Sequence, residues 1–439
     1  PLAWPVMLSR ASILMMAFCD IAMLGRYAPG AVGTMGLGMS IFIPLMVFGI
    51  GLCTGVVAVV AQAYGAGDWA ECGRHWRRGM VWGAAVSLGG MAVCWQAESL
   101  LRLMGQSAEL ADAGGAVARA LTPGLGAQVI FAISAYYLEA TGRPKIGLVV
   151  MIAANLVNFA LNWVLIFGAL GLPELGAVGA ALASTAARIV AAGALVLVIL
   201  MQPGAARAGV IGRRRRGFWG PGGWAAGRAM RRLGIAAGLS NGFETIGFTA
   251  MTQFAGKLGK LPLDAFAIAV NLIAVCFMVG LGLAVATAVR VGIEAGRGRM
   301  AEATFAGWTG LGASAVTLGA VGVLLYLGRG TVVGLYTDEP LIAAQTLPLI
   351  ALLGLVLVPD SAQVVLGQAL RALGDAWVPV TAYVLSFVVL MVPLAWWLVL
   401  RQGYDERALI GAIFAGCVLA SLLLGWRFRA LTRGHGRKA

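Results

Sequence analysis

Twelve apolar stretches alternate with short polar segments along the chain. A helix of about 20 apolar residues crosses a hydrocarbon core about 30 Å thick. The pattern therefore predicts an all-α polytopic membrane protein with twelve transmembrane helices. They lie at approximately 4–25, 37–62, 79–97, 117–138, 147–169, 177–200, 233–255, 265–289, 305–327, 346–368, 377–399 and 408–426.

Composition agrees with a membrane protein. The 439 residues are 60% hydrophobic and 11% charged, and the mean hydropathy is +0.89. The 63 glycines favour closely packed spanning helices. The six cysteines show no CxxC or metal-ligand spacing, so we expect no disulfide framework and no cofactor.

The net charge of +14 lies mostly in the loops, which makes it a topology signal and not a sign of nucleic-acid binding. With a cytoplasmic N-terminus, 22 of the 32 Lys and Arg residues fall in inner segments and 8 in outer segments, which leaves Arg10 and Arg188 near or inside spans. We therefore expect both termini to be cytoplasmic. The first apolar segment has no basic residues before it and no cleavage site, so it is typical of a spanning helix, not of a signal peptide.

An internal repeat relates the two halves of the chain. A shift of 231 positions places Leu8 on Leu239 and Gly49 on Gly280, and places the loop 65–71 on 296–302. We therefore predict an N-terminal lobe at 1–200, a basic cytoplasmic linker at 201–232 and a C-terminal lobe at 233–439. Six helices is an even number, so both lobes begin on the same membrane face, as in transporters built from parallel repeats.

Asp20 is an acid inside the first predicted span, where charged residues usually face a cavity or pathway. Helix counting at 1.5 Å per residue places Asp20 and Asn162 both roughly 24 Å above the inner surface. Asn155, Asn158 and Asn162 share one helix face, and Ser184 lies within reach of that level. A row of asparagines can also serve only to hydrogen-bond neighbouring helices to one another. With Asp20 at matching height, a cation or proton site explains the residues better, with Na⁺ bound by Asp20, Asn158 and Asn162 or a proton on Asp20.

Glu244 and Asp360 form a predicted second acidic centre in the other lobe, because each lies deep in its span. Arg10 and Arg188 could pair with acids, or could equally snorkel to the membrane surface or pack. The C-terminal lobe thus carries two such acids and the N-terminal lobe carries one, a difference that the internal repeat does not account for.

Several segments together resemble the MATE (multidrug and toxic compound extrusion) transporters, most closely in pattern the NorM-like bacterial branch. The segments cover both halves of the chain. They are VAVVAQAYGAGD, LEATGRPK, NFALNWVLIFG, GAVGAALAS, FETIGF, VATAVRVGIEAGRG and DSAQVVLGQALRALGD.

The resemblance implies roles for individual positions. Pro5 matches the proline at which the first helix of some members bends, and Asp20, Asn158, Asn162 and Ser184 match the amino-lobe cation or proton site. Glu244 and Asp360 match the carboxyl-lobe acids that bind the coupling ion or cationic drugs. Some members carry an aspartate where this chain has Asn162. The expected tyrosine one turn before Asp360 is Val356, and the expected proline early in span seven is Ala236.

We therefore expect a secondary active multidrug efflux antiporter, not an enzyme, in the bacterial inner membrane. It would export amphipathic, cationic organic compounds in exchange for Na⁺ or H⁺, acting as a lipid-embedded monomer. The alternative is a lipid-linked or polar-metabolite flippase or exporter of the same superfamily, which needs a cavity lined by Arg and Lys. A membrane-embedded enzyme would need a catalytic constellation that His75 and His435, both in basic inner segments, do not provide.

Overall fold

The computed structural model describes residues 3–28, 30–171, 173–211 and 222–435. Within these ranges the chain is helical and contains no strand. The basic run of the predicted linker, GRRRRGFWGP at 212–221, lies outside the described residues, as do Arg437 and Lys438 of the predicted basic tail.

The chain forms two units, Pro1–Gly238 and Leu239–Ala439. The helices that begin in the first unit are α1 (Ala3–Tyr27), α2 (Ala31–Cys53), α3 (Gly55–Gly65), α4 (Trp69–Trp95), α5 (Ala97–Leu103), α6 (Ala108–Ala140), α7 (Pro144–Phe167), α8 (Gly176–Met201) and α9 (Arg228–Leu258). Helix α9 continues into the second unit. There it is followed by α10 (Lys260–Gly296), α11 (Met300–Leu327), α12 (Arg329–Tyr336), α13 (Pro340–Ala372), α14 (Trp377–Tyr383), α15 (Val392–Trp396) and α16 (Arg407–His435).

Within the part of the chain that the structure describes, twelve long helical segments correspond to the twelve predicted spans, when α2 with α3 and 377–401 each count as one. Ten of them are long and apolar enough to cross a membrane. The third span, α4, bends by 54° into α5. The seventh span, α9, is 31 residues long. It begins with a basic turn and carries polar residues around Asn241 and Glu244, so its mean hydropathy is lower than that of those ten helices.

The internal repeat is visible in the helix boundaries. Helix α4 begins at Trp69 and α11 at Met300, a shift of 231. Helix α6 spans Ala108–Ala140 and α13 spans Pro340–Ala372, a shift of 232 at both ends. The short helices α5 and α12, which the hydropathy pattern did not predict, follow the third span of each half.

The predicted linker packs on the amino-terminal unit where it is described. Gly73 of α4 donates its backbone N–H to the carbonyl of Ala208 at 2.9 Å, and Val210 is buried. A β-carbon at Gly234, in the first turns of α9, would lie 2.0 Å from the carbonyl oxygen of Leu52. These contacts explain why the first unit ends at Gly238, six residues beyond the predicted end of the linker.

Span eleven departs from α-helical geometry. The residues Val384–Met391 and Trp397–Arg401 are π-helical, on either side of the short helix α15. Phe387 and Met391 of the first π segment are fully buried in the core of the second unit. Gly247 of α9 allows this close packing, because a β-carbon there would lie 2.6 Å from Met391 Cε.

Candidate functional site

Asp20 lies on α1 and is completely buried. An acid at this depth in an apolar helix needs hydrogen-bond donors around it, because there is no water to supply them. The donors come from α7 and α8, which pack against each other and against α1.

Three side chains donate to the Asp20 carboxylate. Asn162 Nδ2 lies 2.7 Å and Asn158 Nδ2 3.1 Å from Asp20 Oδ1, and the Ser184 hydroxyl donates to Asp20 Oδ2. Asn162 Nδ2 also donates to Asn158 Oδ1 at 3.2 Å, and Asn158 Nδ2 to Ser184 Oγ at 3.3 Å. Every N–H and O–H of these three side chains thus has an acceptor within the cluster. The structure therefore brings together the four residues that the sequence placed at one height.

Asn155, the third member of the asparagine row, has a different role. Its Nδ2 donates to the backbone carbonyl of Ser12 at 3.0 Å, and Ser12 precedes Asp20 on α1 by eight residues, about two turns. It therefore links α7 to α1 without contacting the carboxylate.

Arg188 follows Ser184 by one turn of α8 and is 7% exposed. Its guanidinium carbon lies 5.1 Å from the centre of the Phe42 ring. This contact corresponds to packing against an apolar neighbour, one of the alternatives considered for this arginine.

The carboxyl-terminal unit holds a second cluster with a different composition. Gln363 Nε2 lies 2.9 Å from Glu244 Oε1 and 3.4 Å from Asp360 Oδ1, so one amide group bridges the two acids. Asp360 is 3% exposed and Gln363 is fully buried, whereas Glu244 is partly exposed. The structure thus brings Glu244 and Asp360 together, and the amide of Gln363 is the group that joins them.

The positions that depart from the MATE pattern are both apolar and buried. Val356 is 1% exposed in the core of the second unit, and Ala236 is fully buried in α9. An aromatic row of Tyr383, Phe387 and Phe248 lies in the same unit, with ring centres 5.5 Å and 6.4 Å apart.

Pro5 lies in the first turn of α1, where the backbone N–H groups have no partner within the helix. A proline at this position removes no intrahelical hydrogen bond. Helix α1 accordingly continues past it to Tyr27.

Sequence reasoning missed one charged pair. Arg10 of α1 binds Glu139 of α6, and both are 5% exposed. Glu139 belongs to the LEATGRPK segment, but it falls at the edge of the predicted fourth span, so it did not stand out as an intramembrane acid.

The hard oxygen ligands present suit Na⁺ or H⁺ better than a transition metal. Within the described ranges, no group of three or more His, Cys, Asp or Glu side chains is arranged to hold a metal ion.

Fold and site together define a polytopic helical membrane protein with two repeated units, each enclosing buried acids within its spans. The MatE family model matches residues 5–164 and 236–397, one segment in each half. The chain therefore belongs to the MatE family, which confirms the resemblance inferred from its motifs.

Relatives and solved structures agree with this assignment. The chain is 34% identical to the probable multidrug resistance protein NorM of Caulobacter vibrioides, over 98% of this chain and 90% of that protein. It is 31% identical to the protein of the same name from Rhizobium meliloti, over 94% and 89% of the two chains. A eukaryotic MATE transporter, AtDTX14, has the same fold with a TM-score of 0.88 at 19% identity, covering 100% of this chain and 97% of that one. A MATE structure in the bent conformation gives a TM-score of 0.89 at 18% identity, covering 100% and 95%.

Proposed function

We propose that this protein is a secondary active multidrug efflux antiporter. It exports amphipathic, cationic organic compounds across the bacterial inner membrane in exchange for Na⁺ or H⁺, with both termini in the cytoplasm. The names of the NorM relatives support multidrug efflux. The observation that carries the coupling proposal is Asp20, a fully buried carboxylate bonded to two other helices.

The Asp20 cluster is suited to coupling because its hydrogen bonds depend on the charge of the carboxylate. A proton on Asp20 Oδ2 would reverse the bond with Ser184, since the hydroxyl oxygen would then accept. A Na⁺ ion would need the amide oxygens of Asn158 and Asn162 in place of the N–H groups that now face the acid. In either case the bonds that join α1 to α7 and α8 change when the ion binds.

Coupling follows if the outward-open and inward-open states bind the ion with different affinity. Ion loading at Asp20 from outside favours substrate release outward, and ion release inward resets the carrier. Pro5, at the start of α1, is the proposed point at which this helix changes direction.

Glu244 and Asp360 are the proposed cation centre of the carboxyl-terminal unit. An organic cation reaches Glu244 first, because Glu244 is partly exposed and Asp360 lies behind it with 3% exposure. Two carboxylates bridged by one neutral amide leave negative charge that a bound cation would offset.

Efflux of a fluorescent cationic dye from proteoliposomes tests this function. We expect efflux when an inward Na⁺ gradient or an inward proton gradient is imposed, and the gradient that supports it identifies the coupling ion. Protein-free liposomes are the control for leakage. Equal efflux with and without any ion gradient would contradict antiport.

A further inference from the structure

A buried ion pair lies in the amino-terminal unit, outside the Asp20 cluster. Arg10 Nη2 lies 3.1 Å from Glu139 Oε1 and 3.3 Å from Glu139 Oε2. The Arg10 guanidinium carbon also lies 5.3 Å from the centre of the Tyr136 ring, one turn before Glu139 on α6. Two charges removed from solvent in this way are costly unless they stay paired.

The pair connects α1 to a helix that it otherwise scarcely contacts. Helix α1 packs mainly against α7, with smaller contacts to α2 and α8. The long Arg10 side chain reaches past these neighbours to α6. This link is therefore made by side chains, and it can break without separating packed helix backbones.

The position of the pair along α1 relates it to movement of this helix. Asp20 follows Arg10 by ten residues on the same helix, a rise of about 15 Å. The cluster around Asp20 thus holds α1 at one height, and nearer its first turn α1 is held by the Asn155 bond to the Ser12 carbonyl and by a charge pair that no ion needs to enter. A bend at Pro5 would move Arg10, five residues beyond it, only about a third as far as Asp20, fifteen residues beyond it, so the pair lies close to the proposed pivot.

The repeat shows that this pair is not required by the fold. At the shifts that align the helices, Arg10 corresponds to Asn241 and Glu139 to Arg371. An asparagine and an arginine cannot form an ion pair, so the other half of the protein builds the same helices without one.

We propose that Arg10 and Glu139 are positioning residues that fix the inner half of α1, so that ion binding at Asp20 moves the outer half and drives the change of state. This inference rests on the proposed antiport function. The pair acts on the rate of the transport cycle, and the substrate site is unaffected.

The double variant R10Q/E139Q is the decisive test. Either single variant leaves one buried charge without its partner, which destabilises the protein for reasons unrelated to transport. The double variant removes both charges at once. R10K, which keeps the positive charge, is the conservative variant. R102Q/D112N is the matched control, because it removes an ion pair of 2.7 Å from the same unit whose side chains are 51% and 58% exposed.

Each purified variant is compared with wild type in three measurements: melting temperature in detergent, dye dissociation constant, and initial rates of dye efflux in proteoliposomes. For R10Q/E139Q we expect folded protein with unchanged dye affinity, KM within about twofold of wild type and kcat lower by about fivefold or more. Dye counterflow without an ion gradient should slow equally, because α1 moves in that reaction too. R10K and R102Q/D112N should stay close to wild type.

A wild-type kcat in R10Q/E139Q would overturn the inference and reduce the pair to a packing contact. A rise in KM or in the dye dissociation constant with kcat unchanged would also overturn it. Absence of dye efflux by the wild type would instead contradict the proposed function, so the two failures are distinguishable.

Discussion

The two units have the same order of helices and differ in the polar side chains that these helices bury. In the amino-terminal unit a single carboxylate, Asp20, accepts bonds from three neutral side chains. In the carboxyl-terminal unit two carboxylates share one amide, that of Gln363. At the shift of 231, Asp20 corresponds to Met251 and Glu244 to Ile13.

This difference shows that the repeat preserves the order of the helices but not their buried polar side chains. Helix lengths recur because each half must fill the same thickness of bilayer, and a short helix follows the third span in both halves. The buried acids do not recur, since a charge is retained only where it serves a purpose. We therefore propose that ion coupling depends chiefly on the first cluster and cation binding chiefly on the second, and the following variants test that division.

Asp20→Asn should have the largest effect. The amide keeps the size of the side chain but cannot carry the charge that the coupling ion neutralises, so gradient-driven dye efflux should fall by about tenfold or more. Efflux rates in proteoliposomes measure this, and the melting temperature checks the fold. Glu109→Gln, at an exposed acid of the same unit, is the control. Normal gradient-driven efflux by Asp20→Asn would remove this residue from the mechanism.

Glu244→Gln should weaken dye binding more than coupling. Loss of one of two carboxylates should raise the dissociation constant of a cationic dye by about tenfold, measured by fluorescence titration of purified protein. A neutral dye and the exposed variant Asp338→Asn serve as controls. An unchanged dissociation constant would place the substrate elsewhere.

Asn162→Asp should make the first cluster resemble the second by adding a carboxylate. A second acid suits a hard cation that binds through oxygen ligands, so the ratio of Na⁺-driven to proton-driven efflux should rise by several-fold, on the order of tenfold at most. Asn155→Asp is the matched control, since it lies on the same helix but bonds the Ser12 carbonyl. If both variants give the same ratio, Asn162 does not set the ion preference.

Gln363→Met should have the smallest effect on transport but a measurable one on stability. Methionine has a similar volume and no N–H, so Glu244 and Asp360 lose their shared donor. Hydrogen bonds to charged groups contribute about 1.5–3 kcal/mol each, which should lower the melting temperature in detergent. A melting temperature equal to that of wild type would show that the bridge is not important for stability.

Much of the amino-terminal cluster was predictable because a straight helix converts residue number into height. Asp20 and Asn162 were placed at one height from the sequence, and their side chains lie 2.7 Å apart in the structure. Ser184 was found in the same way. The twelve spans and the repeat followed from hydropathy and from a constant shift.

What could not be predicted depends on which way a helix face points. Helices that are apolar on nearly every side give no signal for rotation about their axes, so the contacts of Gln363 and of Arg10 with Glu139 were hidden. The polar residues of α9 also weakened the hydropathy signal of the seventh span. Its first turns belong to the first unit, where Gly234 and Gly238 pack against Leu52.

The π-helical turns of span eleven mean that the two halves tolerate changes in chain length differently. Span eleven covers Trp377–Arg401 with 25 residues, whereas its repeat partner α7 covers Pro144–Phe167 with 24. A π-helical turn is wider than an α-helical turn and accommodates an additional residue. A one-residue deletion between 384 and 391 can therefore be absorbed by a return to α-helix. The same deletion in α7 ahead of Asn158 would rotate both asparagines by about 100° away from Asp20. We therefore expect a one-residue deletion to be tolerated in span eleven and not in α7.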